Sequence, residues 1–184
     1  SLMKKFYFLL LIILLDNGVQ ASEKDRIIDN LKNIKNIIFN FEQNINNEIE
    51  KGVCTIQYPK KIFCKYNSAN RKILVSDGKL LAIKTPSSYY LYSLKQTPLE
   101  FILDKEFLIK RINSANQRLV DEKYINFKFI ENQNEINLFF DKKNFNLIGW
   151  QTKDIYQNLS ITFLSSIIKN QKLKKGIFKI PERG

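Results

Sequence analysis

Histidine is absent from this 184-residue chain, and cysteine (2), proline (4), glycine (6) and tryptophan (1) are scarce. Without histidine, the common Ser-His and Cys-His nucleophile systems lack their base. Two cysteines alone do not close a tetrahedral metal shell, so neither a metal nor a cofactor is expected. No glycine-rich loop cradles a phosphate. The carboxylates sit mostly in turns and helix starts, where capping and solvation account for them, and Asp77 of Asp77-Gly78 is a turn residue first. The composition argues against an enzyme. Arginine is also rare: 5 of the 30 basic residues, the other 25 being lysine. Bidentate recognition of phosphates and bases favours arginine, so the formal charge of +12 reads as a solvated lysine surface and no nucleic-acid partner is expected. A general pull toward anionic membranes and a polyanion-binding surface are the other readings of that charge.

Long hydrophobic runs are missing except at the start. Ser1-Leu2 reads as a cloning scar before Met3, Lys4-Lys5 forms a charged region, residues 6–15 are unbroken apolar, and Val19-Gln20-Ala21 ends in a small residue suited to cleavage before Ser22. Ten apolar residues are too few for a membrane-spanning helix, which needs about twenty. Residues 1–21 are therefore expected to be the scar and a secretory signal peptide. No cysteine follows the run, so no lipid anchor is expected and the mature product should be soluble. Residues 22–184 are long enough, in a chain 44% apolar, for a single domain with one core, and they retain a charge of +11.

Residues 52–58, 62–66 and 72–77 are β-branched or aromatic runs separated by Pro59-Lys60-Lys61 and by a polar stretch, and they end at Asp77-Gly78. They predict three antiparallel strands. Period-two alternation places Cys54, Ile56, Ile62, Cys64 and Tyr66 on one apolar face, which something apolar must cover. Cys54 and Cys64 sit nearly symmetrically about the turn. In an oxidising compartment they are a disulfide candidate; the other reading is a pair of small buried hydrophobes.

Ile27, Ile28, Leu31 and Ile34 recur at helical spacing, predicting an amphipathic helix over residues 23–36. From Ile37 the period becomes two, predicting a strand, and residues 45–51 read as a loose connection. Strands are expected at 79–84 and 89–94. Thr97-Pro98-Leu99-Glu100 offers an N-cap, proline at the first position and an acidic third residue, and Phe101, Ile102 and Leu103 follow, predicting a short apolar helix. Residues 104–118 read as mixed helix and strand. Further strands are expected at 124–130, 135–141, 146–154, 158–164 and 177–180, as an antiparallel meander.

Phe41-Glu42-Gln43, Gly52 leading to Tyr58-Pro59, ILVSDG at 73–78, Thr97-Pro98-Leu99, NLFFD at 137–141 and the closing Phe178-Lys179-Ile180-Pro181 together resemble, in order, the periplasmic outer-membrane lipoprotein carrier family, LolA. The resemblance implies a mainly β (α+β) fold, an antiparallel incomplete β-barrel covered by an N-terminal helix and a short helical lid. It also implies a soluble, monomeric shuttle in the periplasm of a Gram-negative bacterium. Such a shuttle takes lipoprotein acyl chains from an inner-membrane ABC lipoprotein exporter to an outer-membrane lipoprotein receptor. On that reading Phe39, Phe41, Ile56, Ile62, Cys64, Phe101 and Trp150 are the expected apolar wall and lid residues. The family usually carries arginine before the proline of the first hairpin, where it ties the lid closed; here Tyr58 stands there. Ile62 and Cys64 likewise replace aromatic positions. A lipid-binding envelope-stress sensor on the same scaffold is the alternative.

Overall fold

The computed structural model describes residues 20–153 and 157–184. All but the last two residues of the signal-peptide reading lie outside them. Ser22 caps helix α1 (Glu23–Asn33), its hydroxyl accepting from the Asp25 N–H at 3.1 Å, and Ile27, Ile28 and Leu31 form the buried stripe. The period then changes. Strand β1 (Asn36–Ile45) buries Ile37, Phe39 and Phe41 on alternate positions.

Strands β2 (Glu48–Gln57), β3 (Lys61–Tyr66), β4 (Ile73–Asp77), β5 (Leu80–Lys84) and β6 (Tyr89–Ser93) follow as a meander. The chain then leaves the sheet through a 3-10 turn (Leu94–Gln96), helix α2 (Leu99–Ile102) and helix α3 (Lys105–Ser114). It re-enters at the far edge as β7 (Arg118–Val120) and returns through β8 (Tyr124–Glu131), β9 (Asn134–Asp141) and β10 (Leu147–Lys153). Finally β11 (Leu159–Lys169) pairs with β1, completing an open 11-stranded antiparallel sheet in the order β6-β5-β4-β3-β2-β1-β11-β10-β9-β8-β7. The sheet does not close. Its concave face and the three helices share one core that runs from Ile27 and Leu31 through Phe127, Leu138 and Phe140.

Three expectations change and one is made definite. Residues 45–51 are not a loose connection: Asn46 and Asn47 take positive φ (51° and 66°) in a tight turn, and β2 starts at Glu48. Asparagine tolerates that conformation, and the polar run beside it belongs to strand ends wet on both faces. Residues 104–118 divide cleanly into α3 and β7, with the Asp104 carboxylate capping the Phe107 N–H at 3.0 Å. Thr97 does not cap α2; its hydroxyl donates instead to the Leu94 carbonyl at 2.8 Å. Residues 177–180 are not a strand: a turn spans 175–178, where Gly176 (φ 81°) folds the tail back and the Lys179 N–H reaches the Gly176 carbonyl.

Gly52 permits a close approach within the sheet. A Cβ there would stand 2.2 Å from the Lys65 carbonyl and 2.8 Å from the Phe41 ring, so only glycine lets β2 and β3 approach this closely.

Candidate functional site

Cross-strand register builds a row of apolar residues over five strands: Phe39 faces Cys54, Cys54 faces Cys64, Cys64 faces Leu74 and Leu74 faces Ile83. Cys54 and Cys64 are joined in a disulfide. In front of that row lies a cavity of about 280 Å³, walled by Phe41, Ile62, Tyr66 and Trp150 and roofed by Pro98, Leu99 and Ile102 of the α2 region. Its rim is polar. There the Lys72 ammonium donates to Glu50 at 2.6 Å and lies 4.1 Å from the centre of the Tyr66 ring, while Gln43 donates to the Thr162 hydroxyl at 3.2 Å. Burial and then the Glu50 charge push the Tyr66 phenol well above its usual range, so it stays neutral.

Phe41, Ile62, Cys64 and Trp150 thus meet at the cavity wall. Phe39 and Ile56 lie fully buried behind it, Phe39 edge-on to Trp150 with ring centres 6.3 Å apart. Phe101 turns to the far side of α2, where it packs on Phe107 at 5.1 Å and anchors the lid rather than facing the cavity. Leu74, Ile83, Leu99 and Ile102 were not anticipated. Carrying the register of Cys64 one strand further would have found Leu74.

The lid is tied at the β2–β3 turn. Lys60, at positive φ (67°) after the cis Tyr58–Pro59 bond, donates its N–H to the Leu103 carbonyl at 2.8 Å. Its ammonium reaches Glu100 at 2.5 Å and Asp104 at 3.8 Å. Ser76 donates to the Lys60 carbonyl at 2.9 Å and fixes the turn from β4. The hydrogen bond to Glu100, then the charges of Glu100 and Asp104, outweigh burial and raise the Lys60 ammonium above its ordinary value. Tyr58 is half-buried against the core, and burial pushes its phenol upward, leaving it neutral.

A wider groove of about 650 Å³ lies on the other side of the sheet beneath the tail, lined by Lys61, Asp77, Lys174 and Lys175. Its lining mixes these charged side chains with Leu173 and Phe178 and includes no residue of α2. Among the described residues no helix is long and apolar enough to cross a membrane.

The family model for the outer membrane lipoprotein carrier protein LolA matches residues 32–181. The chain belongs to the LolA family. Solved structures similar to it include a LolA superfamily protein from Nitrosomonas europaea, at 12% identity and TM-score 0.43, covering 87% of this chain and 99% of that one. MucB is similar at 9% identity and TM-score 0.49, covering 86% and 62%. The lipoprotein LppX of Mycobacterium tuberculosis is similar at 9% identity and TM-score 0.40, covering 83% and 96%. These are likenesses of fold alone. Curated proteins searched by sequence give no match.

Proposed function

We infer that this LolA-family chain is a carrier that shelters acyl chains of lipoproteins in the cavity beneath α2 and moves them across an aqueous compartment, without catalysis. The finer reading follows the family: a monomeric periplasmic shuttle that loads at an inner-membrane ABC exporter and unloads at an outer-membrane receptor. The observation that carries it is an apolar hollow under a short lid.

Burying an acyl chain is worth about 0.8 kcal/mol per CH₂, so a multiply acylated protein does not leave a membrane unaided at useful rates. A carrier must also let go. The hollow of about 280 Å³ lies just below the usual range of ligand cavities, about 300 to about 1,000 Å³, so long chains require the lid to move. Closing α2 again when the cavity is empty recovers apolar burial and offsets part of the binding energy, which permits release.

Native mass spectrometry of the protein purified from the cell envelope, beside Leu74→Trp, tests the proposal. Leu74 is half-buried and lines the cavity, so an indole there fills the space the cargo needs. Acylated protein or lipid on the wild type and its loss from the folded variant are expected. Equal loading of both proteins, or an empty wild type that also fails to take up added acylated peptide, would sink the proposal.

A further inference from the structure

The two edges of the sheet are finished differently. β7 is three residues long and begins with a charged arginine, the usual way of blunting an edge. β6 is not blunted. It holds no proline and no charge, its register with β5 runs without a bulge from Leu80↔Ser93 to Lys84↔Tyr89, and among the described residues it pairs with β5 alone.

Which backbone groups of β6 are free follows from the bonds at its ends. The Thr85 N–H donates to the Ser88 carbonyl at 2.9 Å and the Leu94 N–H donates to the Lys79 carbonyl at 2.8 Å. Antiparallel ladders bond alternate residues, so Tyr90 and Tyr92 also turn their backbone groups to β5. Tyr89, Leu91 and Ser93 turn theirs outward. The side chains around this row are large and open to solvent: Tyr90 is 53% exposed, Leu91 47% and Tyr92 38%.

We propose that the β6 edge is a docking site for an extended, acidic segment of a partner protein, which adds to the sheet as a twelfth strand. Main-chain hydrogen bonds to Tyr89, Leu91 and Ser93 would supply the pairing, with the exposed tyrosines on one face and Leu91 on the other as side-chain contacts. The charge around the edge selects the occupant. Lys84 lies opposite Tyr89, Lys79 and Lys95 flank the other end, and Arg183 of the tail lies 5.9 Å from the Tyr89 ring centre. Glu182 is the acidic residue the tail brings there, and Lys84 donates to its backbone carbonyl. A second copy of this chain would bring the same lysines together on molecules each carrying +12, which disfavours self-pairing.

The test is residue-resolved amide exchange of the full chain with a capped heptapeptide of alternating valine and glutamate. Strand addition slows the amides of Tyr89, Leu91 and Ser93 and leaves those of Tyr90 and Tyr92 unchanged. Leu91→Pro removes an outward N–H that the ladder with β5 does not use, so it should abolish the slowing. The double variant Lys84→Glu with Lys95→Glu leaves every backbone group in place and should weaken the peptide at least about tenfold. Three results would overturn the proposal: equal binding of a valine–lysine peptide, slowing that ignores the alternation, or binding unaffected in both variants. Slowing that rises with protein concentration in the absence of peptide would overturn it in favour of a second copy.

Discussion

Lys60 acts on the lid from both ends of the residue: its backbone N–H holds the Leu103 carbonyl while its ammonium holds Glu100. Lys60→Met keeps the first bond and removes the second. Because the pair is partly shielded, the variant should lose about 1–2 kcal/mol of stability in urea denaturation, and amides of residues 99–103 should exchange faster. The pH dependence has a definite sign. A lysine whose folded value is raised contributes stability that is fully present below its ordinary value of 10.5 and is lost as pH rises through the folded value. The gap between wild type and variant should therefore stay flat from about pH 6 to about pH 9 and narrow only in strong alkali. A gap that narrows toward neutral pH would assign the stabilisation to another group. At this scale the cysteine pair was legible, since its symmetry about Pro59 places it on facing strand positions. The latch was not. A lysine after proline looks like any solvated turn residue until α2 is folded over it.

At the scale of elements, alternation exposed nearly every strand, because the sheet has one dry face and strand periodicity records that difference. What escaped lies where neither face is dry, or where the chain packs without a ladder. The start of β2 is polar because it forms the rim, and the tail's Ile177, Phe178 and Ile180 are half-buried without pairing to a strand. Phe101 escaped for a different reason: a four-residue helix with three apolar residues offers more than one apolar side, and only its neighbours decide which one faces the cavity. Gly52 was visible as a break in residue type but not as a site of close approach between β2 and β3. Gly52→Ala forces a methyl group against the Lys65 carbonyl, and backbone cannot yield as a side chain does. A loss of about 3 kcal/mol is expected in equilibrium unfolding, with strand content by circular dichroism kept where the protein still folds. A neutral result would mean that β2 and β3 can separate locally.

For the molecule as a whole, the family resemblance indicated an open barrel under helices, while the size of the hollow was not legible. That volume is what remains after side chains pack, a small difference between large quantities set by the whole core. Charge is the other property that belongs to the whole chain. Among the described residues Lys51, Lys60, Lys72 and Lys128 pair with carboxylates, so most of the basic side chains described there lie outside any ion pair, in a chain of formal charge +12. Self-repulsion of that kind opposes the compact state and is screened beyond about 8 Å at physiological salt. The two pairs that hold the lid and rim, Lys60–Glu100 and Lys72–Glu50, are short and partly buried, so salt weakens them less than it weakens the diffuse repulsion. Raising sodium chloride from about 0.01 M to about 0.15 M should therefore raise the thermal midpoint by a few degrees. Chloride rather than sulfate is the proper salt, because sulfate also strengthens apolar burial. A midpoint that falls over this range would mean that the ion pairs outweigh the repulsion, and Lys60→Met in the same titration would show whether the lid latch is responsible.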